Sequence, residues 1–171
     1  GGVGSLLVQL ARNAGATVEA AAGGERKLAL ARELGATVAV DYRDDGWART
    51  VRDELGGVDV VFDGVGGAIG RTGFDLLDRG GRMAIYGLAS GVWTELPEEL
   101  VQERGVTLVR LPPPEPARLR AFTQRALAEA AAGRLRPVVG QRFPLAYAAD
   151  AHAAIEARAT VGKTLLEVRT H

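Results

Sequence analysis

The chain of 171 residues contains no cysteine, and only two of its residues are histidines. Without cysteine, the chain can form no disulfide, thiol nucleophile or cysteine-ligated zinc site from its own residues. His152 and His171 could not complete a plausible zinc site without carboxylate ligands from upstream. We therefore expect no metal site within these residues.

Net charge and long apolar runs are absent as well. The 21 basic residues balance the 21 acidic ones, so no net field favours nucleic acid or a membrane as a partner. No apolar run approaches the roughly 20 residues that a transmembrane helix needs. No signal-peptide pattern of basic and then apolar residues begins the chain. We therefore predict a cytoplasmic protein that binds neither nucleic acid nor membrane.

Familiar catalytic arrangements of side chains are also missing. No tyrosine is followed four residues later by lysine, which excludes the Tyr-x-x-x-Lys pair of short-chain dehydrogenases. His152 lies in an alanine-rich helical pattern that favours a packing role over membership of a hydrolase triad. Asp63 follows a strand pattern and is interpreted as a turn or cap former rather than an acid. We expect no catalytic side chain in this chain.

Short β-like runs alternate with helical patterns, which indicates an α/β protein with a parallel sheet. Helices are predicted at residues 5–14, 25–34, 47–55, 69–77, 96–104, 117–132 and 146–157. Strands are predicted at residues 17–22, 37–40, 58–63, 82–86, 106–111, 137–143 and 163–168. The strand at 58–63 is expected to be fully buried, and Gly80-Gly81 is expected to form the turn before the strand at 82–86.

The chain begins on a glycine turn, in which Gly2, Val3 and Gly4 precede an amphipathic helix. Such a turn offers free backbone N–H groups to a dinucleotide pyrophosphate. The turn normally follows a β-strand, and no strand precedes it here. The predicted fold is a Rossmann-like doubly wound parallel sheet that lacks its first strand in this chain. Residues 163–168 are one candidate to fill the central gap.

The next strand pattern ends in alanines and Gly23, which we predict to contact the cofactor, and it has no carboxylate at its tip. An NAD site usually places Asp or Glu there to hold the ribose hydroxyls, whereas Glu19 lies inside the strand. Arg26 and Lys27 follow on the second helix, and a cation there would attract a 2′-phosphate. The pattern favours NADP(H), although Arg26 and Lys27 could instead be solvated residues of a first helical turn.

These residues together resemble the cofactor-binding part of the medium-chain dehydrogenase/reductase superfamily, and most closely its NADPH:quinone oxidoreductase (zeta-crystallin-like) branch. The matching motifs are Gly1-Gly2-Val3-Gly4, Val40-Asp41-Tyr42-Arg43, Val60-Val61-Phe62-Asp63-Gly64-Val65-Gly66, and Gly81-Arg82-Met83-Ala84-Ile85-Tyr86-Gly87. The resemblance implies that Lys27 and Tyr42 lie beside the 2′-phosphate and that Val65-Gly66 pass under the cofactor. It also implies that Tyr86-Gly87 lie near the nicotinamide. In the family's turn a serine is common where this chain has Gly64.

The C-terminal motifs follow the family's order too, from Gly133-Arg134-Leu135 to Gly162-Lys163. The resemblance implies that Arg158 reaches back to the cofactor phosphates. It also implies a Rossmann domain at residues 1–133, and a short β–α–β tail at residues 134–171 that returns to a catalytic domain absent from this chain. That absent part would carry most of the substrate pocket.

The resemblance implies an NADPH-dependent oxidoreductase that passes hydride to a quinone or a related enone or carbonyl. It also implies a homodimer that pairs through the edge strand at residues 106–111. The 171 residues alone are expected to be inactive, because the wall opposite the nicotinamide would be missing. Two alternatives stay open: a non-catalytic nucleotide-binding or interaction module, and part of a zinc alcohol dehydrogenase relative.

Overall fold

The computed structural model describes residues 1–109 and 112–168. The helices are α1 Gly2–Asn13, α2 Glu25–Leu34, α3 Trp47–Leu55, α4 Gly67–Leu76, α5 Glu98–Arg104, α6 Pro116–Ala131 and α7 Ala148–Glu156, with a 3-10 turn at Leu145–Tyr147. The strands are β1 Glu19–Ala22, β2 Val38–Asp41, β3 Val58–Asp63, β4 Leu77–Ile85, β5 Thr107–Val109, β6 Val139–Pro144 and β7 Lys163–Glu167. Within the described residues, no helix is both long and apolar enough to cross a membrane.

The chain divides into two compact units, one formed by Gly1–Ala39 with the chain from Pro116 onward, the other by Val40–Glu115. The strands form the sheets β1-β2, β3-β4-β5 and β6-β7. The pairs β3-β4, β4-β5 and β6-β7 are parallel. The predicted α/β class with parallel strands is confirmed. The domain boundary predicted at residue 133 stays a prediction.

The second unit is built around the three-stranded sheet. Its buried core consists of Phe74, Leu77, Met83 and Val106. The parallel register places Met83 opposite Val61 on β3 and Leu108 on β5. Because Met83 is on the central strand, neighbours on both sides cover it, and its side chain is fully buried. The core therefore holds β3, β4 and β5 beneath α4 and α5.

The first unit has a smaller core of Val18, Ala31 and Ala36, against which Val8 and Ala20 pack. Helix α2 presents Leu28, Ala31 and Leu34 on its buried face, a spacing of three residues that suits one side of a helix. The helix ends at Gly35, whose φ of 108° is left-handed and therefore favours glycine.

Two expectations about β3 and β4 are wrong. Strand β3 is not fully buried, since Val60 is 39% exposed and Phe62 is 51% exposed. Its partner within the described residues is β4, so its other edge is left open. Strand β4 also begins earlier than predicted, at Leu77. Gly80-Gly81 lies in an irregularity inside β4, where the register jumps from the pair Val58–Leu77 to Val60–Arg82.

The suggestion that residues 163–168 fill a gap in the central sheet is also wrong. Strand β7 pairs with β6 in a separate two-stranded sheet, because the two segments join by parallel pairing from Val139–Lys163 to Pro144–Glu167. The strand predicted at 106–111 is observed as Thr107–Val109. The predicted positions 110 and 111 lie outside the described residues.

Candidate functional site

The predicted glycine turn forms the first turn of α1. The helix begins at Gly2 with Gly1 as its N-cap, and no side chain caps it. The first intrahelical bond is the one that Ser5 N–H donates to Gly1 O, at 3.1 Å. The N–H groups of Gly2, Val3 and Gly4 therefore have no acceptor within the helix, which leaves a partial positive charge at this end.

Both lysines of the chain lie near this end of α1. Lys163 Nζ is 3.3 Å from the position that a Cβ atom on Gly2 would occupy. The charge of Lys27 acts on Gly1, the N-cap of the same helix. Two ammonium groups beside a helix N-terminus make the region attractive to an anion.

Two of the predicted phosphate ligands meet within the first unit. Lys27 Nζ donates a hydrogen bond of 2.9 Å to the backbone carbonyl of Arg158. Arg158 has a φ of 55°, a left-handed conformation that is uncommon for a residue with a side chain. Gly23 precedes Gly24, the N-cap of α2, which has a φ of 97°. Lys27 and Arg158 are therefore in direct contact in the first unit.

Tyr42 lies in the second unit, immediately after β2. Asp41 Oδ1 accepts hydrogen bonds from Arg43 N at 3.0 Å and from Arg43 Nε at 2.9 Å. This pattern is an Asx turn, and it places Tyr42 between the two paired residues. The side chain of Tyr42 is half-buried. The Asp41–Arg43 pair therefore fixes the backbone that carries Tyr42.

The turn after β3 carries the predicted residues Val65 and Gly66. Their N–H groups donate to Asp63 Oδ1, at 2.8 and 2.9 Å. Val65 O accepts from Ser90 N at 2.7 Å, and Gly66 O accepts from Gly70 N at 3.2 Å. Because the protein already uses these backbone groups, Val65 and Gly66 can offer a ligand shape and van der Waals contact.

The predicted residues Tyr86 and Gly87 follow β4 on the adjacent strand. Tyr86 N–H donates to Asp63 O at 2.8 Å, and its ring lies against Gly64. A Cβ on Gly64 would be 2.7 Å from the Tyr86 ring carbon Cζ, so a serine at this position would require the Tyr86 ring to shift. A Cβ on Gly87 would similarly be 2.8 Å from Gly64 O. Burial, and then the charge of Asp63, raise the pKa of Tyr86.

The predicted site residues fall into both units. Gly2, Val3, Gly4, Gly23, Lys27 and Arg158 belong to the first unit, and Tyr42, Val65, Gly66, Tyr86 and Gly87 belong to the second. The sequence analysis named Lys163 only as part of the Gly162-Lys163 motif and did not place it in the site. It missed Thr94, whose hydroxyl donates to Asp63 Oδ2 at 2.5 Å. No pattern in the sequence pairs these two positions, which are 31 residues apart.

Comparison with known proteins gives the family. Residues 2–113 match the model of a family described as zinc-binding dehydrogenase. The chain is 36% identical to a 2-haloacrylate reductase from a Burkholderia species, over 97% of this chain and 52% of that protein. It is 32% identical to a quinone oxidoreductase from Pseudomonas aeruginosa, over 97% of this chain and 53% of that one.

A solved structure shows the same architecture. The quinone oxidoreductase of Escherichia coli in complex with NADPH superposes with a TM-score of 0.87 at 28% identity, covering 98% of this chain and 54% of that chain. The chain belongs to the zinc-binding dehydrogenase family, and the predicted place in the quinone oxidoreductase branch of the medium-chain dehydrogenases/reductases is confirmed. The chain spans about half the length of the curated relatives it matches.

The zinc in the family's description has no matching ligand set in this part of the chain. The described residues contain no group of three or more His, Asp or Glu side chains that could hold a metal ion, and the chain lacks cysteine. His152 is an exposed residue of α7. No step of the proposed chemistry is therefore assigned to zinc.

Proposed function

We propose that this chain forms the NADPH-binding part of an oxidoreductase that transfers hydride to a quinone or to a related enone or carbonyl compound. Support for the reaction class comes from relatives named quinone oxidoreductase and 2-haloacrylate reductase. Support for the cofactor comes from the neighbouring structure solved with NADPH. Bound NADPH would supply the hydride, and the protein would supply orientation.

The observation that carries the cofactor proposal is the charge pattern of the first unit. Lys163 lies beside Gly2 at the start of α1, and Lys27 is held on the carbonyl of Arg158. The end of β1 carries Ala22 and no carboxylate. A 2′-phosphate would meet a cation here and no carboxylate at the end of β1, and Glu25 in the first turn of α2 is paired with Arg32. The phosphate could replace the neutral carbonyl as the partner of Lys27.

We propose that the remaining predicted residues contact other parts of the cofactor. In this proposal, the first-turn N–H groups of α1 bind the pyrophosphate. Tyr42 flanks the adenosine 2′-phosphate. Val65 and Gly66 support the cofactor by shape, and Tyr86-Gly87 lie at its nicotinamide end.

Equilibrium titration of the chain with NADPH and NADH, followed by nicotinamide fluorescence, tests this proposal. We expect tighter binding of NADPH. Lys27→Ala should lower NADPH affinity about tenfold, since it removes one charge-assisted contact to phosphate. NADH affinity should stay unchanged, because NADH has no 2′-phosphate.

Arg26→Ala is the matched control, because it removes a neighbouring positive charge from the same first turn of α2. It should affect NADPH much less than Lys27→Ala does. Equal affinity of the chain for NADPH and NADH would refute the cofactor proposal. Unchanged NADPH affinity in Lys27→Ala would refute the role of Lys27 and support the view that it is a solvated helix residue.

A further inference from the structure

The carboxyl group of Asp63 accepts three hydrogen bonds, and only two of them lie within the turn after β3. Asp63 ends β3, is 5% exposed, and accepts two backbone N–H groups on Oδ1 and the Thr94 hydroxyl on Oδ2. All three partners donate, so the carboxyl group serves as an acceptor throughout. One buried side chain thus joins the turn after β3 to a segment 31 residues later.

Further contacts tie the same two segments together. Ser90 N donates to Val65 O at 2.7 Å, and Ala89 N donates to Gly64 O at 3.2 Å. A side chain on Gly66 would overlap the carbonyl oxygen of Val92. The backbones of the turn after β3 and of the segment that contains Thr94 are therefore in contact where the Asp63–Thr94 hydrogen bond links them.

Helix α4 approaches this junction closely because of Gly70. A Cβ on Gly70 would overlap both Thr94 Oγ1 and Asp63 Oδ2. The α4 helix begins directly after the turn, with Gly66 as its N-cap. The position of α4 therefore depends on the same small group of atoms.

A surface cleft of about 340 Å³ lies beside the junction. It is lined by Gly67, Ala68, Arg71, Val92, Trp93 and Glu95. One side is the start of α4 and the other is the segment that Thr94 anchors. The Asp63–Thr94 pair consequently sets the distance between the two sides of the cleft.

We propose that Asp63 is a positioning residue of the cofactor site: it joins the Gly64–Gly66 turn to the Ser90–Thr94 segment and thereby fixes the surface that receives the nicotinamide end of NADPH. This inference rests on the proposed function. Asp63 acts through Val65, Gly66 and Thr94, and it exchanges no proton with a substrate.

Two variants of Asp63 separate geometry from charge. Asp63→Ala removes all three acceptor contacts. Asp63→Asn keeps the Oδ1 acceptor for Val65 and Gly66, while its amide can donate to the Thr94 hydroxyl. We expect Asp63→Ala to lower NADPH affinity about tenfold, because the buried N–H of Gly66 and the partly buried N–H of Val65 lose their acceptor. Asp63→Asn should restore binding close to that of the wild type.

Backbone amide exchange gives a readout that needs no ligand. In the free chain, Asp63→Ala should speed exchange at Val65 and Gly66, and Asp63→Asn should not. Thr94→Val and Gly70→Ala should also weaken NADPH binding, because each disturbs the Asp63–Thr94 hydrogen bond while Asp63 is retained. If Asp63→Ala does not fold, NADPH binding by these two variants tests the positioning role of Asp63 instead.

The outcomes distinguish this inference from the proposed function. If the wild-type chain does not bind NADPH, the proposed function fails and the cofactor role of Asp63 fails with it. If the wild type binds NADPH but the Asp63→Ala, Thr94→Val and Gly70→Ala variants bind it equally well, only the positioning role is overturned. An Asp63→Asn variant as impaired as Asp63→Ala would show that charge matters, which also contradicts the proposal.

Discussion

Glu19 is the residue whose ionisation opposes folding most clearly. It lies in β1 between Val18 and Ala20, which pack in the core of the first unit. The alternation of a strand directs Glu19 to the opposite face. Burial raises the pKa of this carboxyl group from 4.5 to about 7. The folded chain therefore holds the Glu19 proton more tightly than the unfolded chain does.

This shift predicts a loss of stability between pH 4.5 and about 7. Across this range the unfolded carboxyl group releases its proton first, so rising pH favours unfolding until the folded group is also ionised. Glu19→Gln should remove this component and raise stability at pH 8 by roughly 1–2 kcal/mol, allowing for partial exposure of the group. Urea denaturation at pH 5 and pH 8 measures the effect.

The exposed Glu54 on α3 provides the control, since Glu54→Gln should leave the pH dependence of the wild type in place. A Glu19→Gln variant that keeps the full decline in stability between pH 5 and pH 8 would contradict the assignment to Glu19.

Individual residues show which parts of the candidate site could be predicted from the sequence. Lys27 and the alanine end of β1 could be read directly, because they depend on local order along the chain. Lys163 lies beside Gly2, and Thr94 is hydrogen-bonded to Asp63, although the residues of each pair are far apart in sequence. No local pattern encodes such contacts, so only the folded chain shows them.

At the scale of elements, the helices could be predicted better than the burial of the strands. Helix α3 was predicted with its observed bounds, because its apolar spacing and flanking glycines are local signals. An apolar run such as β3 also signals a strand, but the exposure of its side chains depends on what covers each face of the sheet. Val60 and Phe62 share one face of β3 and are exposed, whereas Val61 lies on the other face and packs against the core.

Strand β5 forms the other edge of that sheet, and it is the element through which we expect two copies to pair. Val109 is 37% exposed on this strand. Val109→Lys should shift the protein from dimer to monomer, because a charged residue on an edge strand opposes pairing with another edge. Sedimentation velocity at micromolar concentration measures the change. Val109→Ile is the matched control and should stay dimeric, whereas a monomeric wild type would contradict the proposed pairing.

At the scale of the whole molecule, we expect the 171 residues to bind NADPH without appreciable turnover. Hydride transfer requires that the acceptor be oriented against the nicotinamide in a pocket that excludes water. At the nicotinamide end proposed here, Tyr86, Val92 and Trp93 are 37%, 59% and 54% exposed. Relatives of this chain are about twice its length, so their pockets can draw on residues outside the matched region.

A steady-state assay with NADPH and a benzoquinone, run at saturating cofactor, tests this expectation. NADPH oxidation should stay at the rate of a protein-free blank, while titration under the same conditions shows bound cofactor. Turnover near the roughly 10 s⁻¹ that is typical of enzymes would contradict it, and would show that these residues suffice to orient the acceptor. Binding without turnover would instead assign cofactor recognition to this chain and leave acceptor positioning to residues beyond it.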